Sequence, residues 1–396
     1  MRNLKNGLII VFLALVLVFT AIMVFPVDTF IAKQASHMKG YEIKTDFEST
    51  DFGVYYDRLG ENEKLAYAII YAEIRDFPET ILVPDLTDAE LESVFRALSY
   101  DNPEFFFLGN KCSFTSIGSF NYFMPQYIMD RESYLEKLEQ VEKKATEILS
   151  GIKSDATDYE KELYLHDYIT RNCDYASGGS QMIYTIYGLL VDGKANCEGY
   201  SRAMQYLLGK VGIENYLVTG MALNAQGEKE GHMWNIVEID GEQFNLDATW
   251  DDYSIAGTLM SVDNAPSHSY FNNTSEEMSA THDIDDDTMW EQCTSDENDY
   301  FENEGLRFDE CNSAMESAVR RAIADSLMMG DCSLEVAFSN EEAYKQAGEY
   351  FIEENRLYTI LRAVNEVVPS AYRVDSTKVQ YSNDDEKLVL RLFFIK

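Results

Sequence analysis

The chain has 396 residues, of which 46% are hydrophobic and 26% are charged, a balance typical of globular proteins with two or three domains. Its net charge of −37 opposes binding to nucleic acid and to anionic lipid or wall polymers, because like charges repel. The composition therefore excludes nucleic acid as a partner and favours basic peptides or amines.

The N-terminus carries a long apolar segment. Arg2 and Lys5 precede an uncharged run from Gly7 to Phe25, which is long enough to span a bilayer. Since positive charges stay on the cytoplasmic side, the run predicts a transmembrane anchor with the rest of the chain outside the cytoplasm. A cleaved signal peptide is the alternative, although its apolar region is usually only about 7–15 residues long. We therefore expect an anchor or signal at 1–28, a linker at 29–53 and a membrane-anchored, extracytoplasmic protein, secreted if the segment is cleaved.

Residues 54–152 are predicted to form a mixed, mainly helical region. Its second helix is the best marked, because Thr87 and Glu90 have the spacing of a capping box. The expected elements are helices over Leu59 to Phe77, Thr87 to Leu98 and Asp130 to Leu149, a buried strand over Phe105 to Leu108, and a strand or hairpin over Phe114 to Ile128.

A cysteine lies at the start of the next well-marked helix. Asn196 is a good N-cap, apolar residues follow at helical spacing, and Gly212 ends the pattern. Cys197 is therefore predicted in the first turn, where unpaired N–H groups and the helix dipole favour a thiolate and could stabilise an oxyanion. The alternative is a buried cysteine that packs as a small apolar side chain.

A histidine and an aspartate follow on a predicted hairpin. Residues 232–240 alternate as a strand does, and Asp240 with Gly241 is a two-residue turn signal. This turn places Asp247 opposite Trp234 and diagonal to His232, on the same face and at a partly exposed strand end. The carboxylate would then orient the imidazole. A surface histidine beside a half-exposed aspartate is the alternative, and one extra loop residue would reverse the face.

Residues 291–396 are predicted to form a small α+β domain. Its expected elements are helices over Ser313 to Met329, Glu341 to Asn355 and Leu357 to Val367, and strands over Ser333 to Phe338 and Leu388 to Phe394. No catalytic motif is found in it. The chain has no C-x-x-C pair or zinc-ligand spacing, so no metal and no cofactor is predicted. His166 is interpreted as a histidine packed on a helix face.

Three blocks of sequence resemble the transglutaminase-like superfamily. They are Tyr187-Gly188-Leu189-Leu190 with 192–200 (DGKANCEGY), 231–235 (GHMWN) and 245–250 (NLDATW). Segment 166–175 is similar to the helix before the core of bacterial members, and 270–282, which includes His282, to their usual tail. The resemblance implies a papain-like catalytic core at 153–290, with Cys197 as nucleophile, His232 as base and Asp247 as its orienting group. It also suggests that Tyr187 helps to line the oxyanion site.

Together these observations predict an α+β protein with a transglutaminase-like core, a mainly helical N-terminal region and a C-terminal α+β domain behind a membrane anchor. The expected chemistry is acyl transfer through a Cys197 thioester, on protein or peptide amides such as those of cell-wall or surface proteins. An amine acceptor gives cross-linking and water gives hydrolysis. Trp234 and Trp250 are expected to flank the three residues and exclude water, or else to be plain core. The alternative function is a non-catalytic binding or scaffold protein of the same fold at the cell surface.

Overall fold

The computed structural model describes residues 52–117, 120–223, 227–252, 266–285 and 292–395. The apolar run from Gly7 to Phe25 lies outside these residues. Within the described part, none of the helices has the length and apolarity needed to span a membrane. The described chain divides into two compact units, with the boundary between Lys137 and Leu138.

The first unit combines helices with a three-stranded antiparallel sheet in the order β1-β3-β2. Its elements are α1 (Val54–Asp57), α2 (Glu61–Glu73), β1 (Ile81–Pro84), α3 (Asp88–Asp101), β2 (Leu108–Ile117), β3 (Phe120–Tyr127) and the start of α4 (Arg131–Leu149). The predicted capping box is confirmed, since Thr87 Oγ1 accepts from Glu90 N and the Glu90 carboxylate accepts from Thr87 N. The helix runs past Leu98 to Asp101, where Asn102 Nδ2 donates to the carbonyl of Leu98 at 2.8 Å.

The strand predicted over Phe105 to Leu108 is wrong. Strand β2 begins at Leu108, and the three phenylalanines form turns in which Phe105 N donates to Asn102 O and Leu108 N to Phe105 O. All three rings are buried as expected. An apolar run of this length indicates burial but does not choose between a strand and a packed turn, so turns closed by backbone hydrogen bonds remain compatible with it.

The second unit contains two four-stranded sheets, ordered β8-β7-β6-β9 and β10-β11-β13-β12. Its first part consists of α5 (Asp158–Asn172), β4 (Asp174–Tyr175), β5 (Lys194–Ala195), α6 (Cys197–Lys210), β6 (Asn215–Leu223), β7 (Lys229–Ile239), β8 (Glu242–Leu246), α7 (Ser275–Met278) and β9 (His282–Ile284). Its second part consists of α8 (Tyr300–Asn303), β10 (Arg307–Phe308), α9 (Ser313–Met329), β11 (Ser333–Phe338), α10 (Glu341–Gly348), α11 (Arg356–Val367), β12 (Val379–Asp384) and β13 (Val389–Phe394).

The predicted elements of the C-terminal part are largely confirmed. Helix α9 and strand β11 have the predicted limits. The helix predicted from Glu341 to Asn355 is instead α10 followed by a π-helical turn, Glu349–Glu353, and Asn355 has a positive φ of 57°. That left-handed residue separates this segment from α11, since a left-handed conformation interrupts a right-handed helix.

The arrangement of α6 on the first sheet positions the candidate site. The helix packs on β6 and β7, and its buried face includes Met204, Leu207 and Leu208. The two strands form an antiparallel pair in which Gly220 faces His232. Helix α6, which begins with Cys197, therefore packs directly against the strand that carries His232.

Candidate active site

Cys197 is the first residue of α6 and is half-buried. Asn196 caps the helix as predicted, its Oδ1 accepting from Gly199 N at 3.2 Å. The start of the helix is also fixed to the segment around Ile183, because Asn196 N donates to Ile183 O at 3.0 Å. Gly193, with φ of 65°, provides the left-handed turn that leads into this segment. The thiol thus lies at a helix N-terminus whose position is set by backbone contacts.

The hairpin has the predicted register. Ile239 pairs with Glu242 and Asn235 with Leu246, so Asp247 follows β8 directly and lies diagonal to His232. Asp240 and Gly241 both have positive φ, as a type I′ turn requires. His232 Nε2 lies 2.7 Å from Asp247 Oδ2. The predicted pairing of the two side chains is confirmed, but the expected partial exposure is wrong, since His232 is 8% and Asp247 1% exposed.

The charges at this pair favour an imidazolium. Burial alone lowers the pKa of His232, but the charge and hydrogen bond of Asp247 and the influence of Cys197 together raise that pKa to about 10. Burial conversely raises the pKa of Asp247, and the contacts with His232 and His282 outweigh it and hold the pKa well below its usual range. Because Nε2 is held by Asp247, Nδ1 is the ring nitrogen left to face the thiol. The three side chains therefore have the order thiol, imidazole, carboxylate.

A second histidine, His282, also holds the carboxylate. Its Nε2 lies 3.1 Å from Asp247 Oδ2, and its Nδ1 lies 2.8 Å from the hydroxyl of Thr281. Burial and the nearby His232 charge lower the pKa of His282, so the neutral ring donates to Asp247 and accepts from Thr281. Sequence reasoning placed His282 only in the tail of the resemblance. Its contact depends on the pairing of β9 with β6, in which Ala222 faces His282.

Both tryptophans predicted to flank the site lie near the His232 ring. Trp234 stacks on His232 at 6.1 Å between ring centroids, and Trp250 lies 6.0 Å from the same ring. The Tyr187 hydroxyl donates to Gln140 Oε1 at 3.1 Å. Tyr175, which sequence reasoning missed, pairs with Ala195 two residues before the cysteine. Burial and the charges of Cys197 and other acidic groups raise its pKa to about 12, which marks it as a neighbour of the thiol.

Two groups of described side chains offer donor atoms close enough for one metal ion. One is His232, Asp247 and His282, which belongs to this site. The other is His166, Asp167 and His268, which lies apart from Cys197 in the sequence and shares no member with the first group.

Comparison with known proteins finds one family model and several solved structures that resemble part of this chain. Residues 143–248 match the family model described as "Transglutaminase-like superfamily". Similar solved structures include a TGase (14% identity, 48% of this chain and 54% of that chain, TM-score 0.26). Others are a candidate cysteine protease from Cytophaga hutchinsonii (14%, 35% and 61%, 0.24) and a candidate protease from Parabacteroides distasonis (11%, 34% and 35%, 0.22). The match spans about half of the first of these chains. No curated protein matched the sequence.

Proposed function

Residues 143–248 carry a transglutaminase-like superfamily domain, and we propose that the protein is a cysteine-dependent acyltransferase or amide hydrolase that acts on protein or peptide amides. The observation that carries the proposal is His232, whose Nε2 lies 2.7 Å from Asp247 Oδ2 and whose pKa is raised by Asp247 and also by Cys197. A nucleophile, a base and an orienting carboxylate in that order are the requirement for acyl transfer through a thioester.

The reaction begins with the Cys197 thiolate and the His232 imidazolium. The sulfur attacks the amide carbonyl, and the resulting oxyanion is stabilised by N–H groups at the start of α6. When the C–N bond breaks, His232 donates its proton to the leaving amine, which leaves a Cys197 thioester and a neutral imidazole. An amine or water then attacks the thioester while His232 accepts its proton, and the thiolate leaves. Cross-linking and hydrolysis thus share every group of the site.

Asp247 keeps the ring in one orientation through both steps. Its Oδ1 accepts from the backbone N–H groups of Thr249 and Trp250, at 3.0 and 3.3 Å, while Oδ2 holds His232 and His282. We infer that His282 is a positioning residue, because it touches Asp247 and not the thiol-facing nitrogen of His232.

We further propose a cell-surface setting for this chemistry. The basis is the apolar run at the N-terminus with its preceding positive charges, together with the net charge of −37. Protein or peptide substrates with basic character, including surface or wall proteins, fit that charge. Protease added to intact cells should then degrade the main part of the chain while a cytoplasmic protein survives, and full protection would contradict the orientation.

The reactivity of Cys197 tests the enzymatic proposal. Low iodoacetamide followed by mass spectrometry should label Cys197 first, because burial raises the pKa of Cys173 to about 12 and that of Cys293 to about 11. Cys197→Ala should abolish both incorporation of a fluorescent amine into a protein substrate and release of ammonia or peptide. Cys173→Ala is the matched control and should retain both. If Cys197 is labelled no faster than Cys173 and no acyl transfer is found, the protein is the non-catalytic scaffold.

A further inference from the structure

A second group of donor atoms, from two buried histidines and a partly exposed aspartate, lies where α5 meets the segment before α7. His166 and Asp167 are neighbours on α5, and His268 is 101 residues further along the chain. His268 Nε2 lies 2.9 Å and His166 Nδ1 3.3 Å from the same oxygen, Asp167 Oδ1. Both histidines are buried, at 6% or less exposed. We propose that His166 Nδ1, Asp167 Oδ1 and His268 Nε2 bind a divalent transition metal ion such as Zn²⁺.

The spacing of the donor atoms fits a single ion. Metal bonds of about 2.1 Å place neighbouring ligand atoms about 3.0 Å apart in an octahedral site and about 3.4 Å apart in a tetrahedral site. The two distances from Asp167 Oδ1, 2.9 and 3.3 Å, lie close to the range that these two geometries span. All three donor atoms are within 4.8 Å of one another. Imidazole and carboxylate together suit Zn²⁺ and its transition-metal neighbours better than Ca²⁺ or Mg²⁺.

In each histidine, the ring nitrogen that would not bind the ion lies next to a carboxylate, as is usual in metal sites. His166 Nε2 lies 3.1 Å from Asp251 Oδ2, and His268 Nδ1 lies 3.0 Å from Glu335 Oε2. Both carboxylates are buried. Histidine ligands almost always donate their outer N–H to such an acceptor, which sets the tautomer and increases the basicity of the ligating nitrogen.

The first group, around Asp247, lacks this feature among the described residues. The outer nitrogen of His282 faces the Thr281 hydroxyl, and that of His232 is the one left for the Cys197 thiol. A hydroxyl and a thiol thus stand where the other group has two carboxylates. The two groups therefore differ in their surroundings although their donor atoms are alike, and the metal site is assigned to the group of Asp167.

A cavity gives access to the proposed ion. Its volume is about 610 Å³, and Asp167, His268 and Glu335 are among its lining residues. Tyr300 stacks on the His268 ring at 3.7 Å and 6°, which keeps the ring plane fixed. Arg171 holds Asp167 Oδ2 at 3.3 Å, so Oδ1 is the oxygen left for the ion. Three protein ligands beside a cavity leave a coordination position for water or an anionic ligand.

Metal binding by the whole chain tests the proposal. After treatment with a chelator, equilibrium dialysis against Zn²⁺ should give about one tightly bound ion per chain. Asp167→Asn and His268→Asn should remove it. Glu335→Gln, which alters the outer partner of His268 and the ion pair with Arg391 but none of the three proposed ligands, should weaken binding by about 10–100-fold. His232→Gln, which breaks the other group of donors, is the matched control and should retain the ion.

Two results would overturn the proposal. One is the absence of saturable Zn²⁺ binding by the wild-type chain, and the other is loss of binding in His232→Gln but not in Asp167→Asn or His268→Asn. Circular dichroism shows whether each variant is folded. If the ligand variants do not fold, the wild-type and His232→Gln chains remain decisive, since Zn²⁺ should raise and EDTA should lower the melting temperature of both. An unchanged melting temperature then contradicts the site.

Discussion

At the scale of single residues, Asp247 is the most constrained side chain of the candidate active site. Its two oxygens accept from two imidazoles and two backbone N–H groups, and it is 1% exposed. A carboxylate with this many donors stays ionised and does not rotate. Its charge therefore acts on His232 from a fixed direction, which makes it the most informative position to change.

Asp247→Asn should slow the reaction of the thiol. The variant keeps the shape of the side chain but removes the charge that raises the pKa of His232 to about 10, so the imidazolium loses its main support. We expect the pH profile of Cys197 alkylation to move to higher pH and amide turnover to fall by at least about 10²-fold. Because the site is buried, the melting temperature should fall as well. Alkylation rates from pH 5 to 9 and steady-state turnover measure these effects.

Glu238→Gln is the matched control for this change. Glu238 lies on the same strand, β7, near the turn and paired with Gln243, and it is only half-buried. Its alkylation profile should equal that of the parent chain. If Asp247→Asn also reacts with the parental profile, Asp247 does not orient the base.

Glu162 gives a prediction about stability and pH. The side chain is fully buried on α5, and burial raises its pKa to about 8 although Asn272 Nδ2 donates to it at 2.9 Å. In the unfolded chain a glutamate releases its proton near pH 4.3. Between about pH 4.3 and 8 the folded state thus holds a proton that the unfolded state has lost, so the free energy of unfolding falls as pH rises through this window and levels off above it.

Glu162→Gln should remove this decrease in the free energy of unfolding with rising pH. The amide keeps an acceptor for Asn272 and carries no charge, so the variant should be more stable than the parent at pH 8, by on the order of 4 kcal/mol, and equal to it near pH 4. Urea unfolding at several pH values measures the difference. Glu366→Gln, on the exposed side of α11, should leave the pH profile unchanged. A parental profile in Glu162→Gln would show that this carboxyl is already ionised in the folded protein below pH 8.

At the scale of elements, the first turn of α6 is held by close backbone packing. A Cβ added to Gly199 would lie 2.3 Å from Ile183 O and 2.8 Å from the Ala195 Cβ. Neither is the end of a flexible side chain, so the helix or the segment beneath it would have to move. The glycine two residues after Cys197 is therefore required for the position of the thiol.

Gly199→Ala should displace the nucleophile. We expect a loss of about 1–3 kcal/mol in the free energy of unfolding, as for other overpacked positions. Since small displacements of reacting groups are costly, acyl transfer should slow by at least about tenfold. Gly209→Ala is the control in the same helix, because a Cβ there meets no described atom within 4 Å. That change should leave activity intact and add up to about 1 kcal/mol of stability. If both variants have the same activity and stability, Ile183 and Ala195 can move to make room for the added methyl group without a cost in free energy.

At the scale of the second unit, a buried ion pair connects the C-terminal sheet to a segment of chain outside that sheet. Arg391 on β13 donates to Glu335 on β11 at 2.6 Å and to the hydroxyls of Ser267 and Ser269 at 2.8 and 2.7 Å. Glu335 in turn accepts from His268 N and faces its ring. The C-terminal sheet is thus tied to the segment that follows the β7–β8 hairpin.

Arg391→Met should destabilise the protein strongly. Arg391 is 13% and Glu335 6% exposed in their side chains, so the variant leaves a buried carboxylate without its nearest cation. Breaking a buried pair from one side costs about 3–5 kcal/mol. The exposed pair of Lys345 and Glu341 supplies the control, and Lys345→Met should change the urea midpoint little. A small effect in Arg391→Met would mean that solvent reaches Glu335.

The sequence alone determined the features that depend on neighbouring residues. The capping residues Thr87 and Asn196, the limits of α9 and β11, and the Asp240–Gly241 turn follow from local backbone chemistry. Because the side-chain period of a strand is two, that turn also determined that His232 and Asp247 share a face. The resemblance of residues 143–248 to the transglutaminase-like superfamily and the order of Cys197, His232 and Asp247 are therefore recognisable in the amino-acid sequence itself.

Only the tertiary structure decided which distant segments complete each site. His282 reaches Asp247 because β9 pairs with β6, and His268 reaches Asp167 across 101 residues of chain. The burial of Asp247 and the turns of Phe105 to Phe107 likewise could not be predicted from neighbouring residues alone. The physical reason is that strand pairing and burial are set by the packing free energy of the whole unit, which is summed over contacts far apart in sequence, whereas caps and turns are set by hydrogen bonds within a few residues.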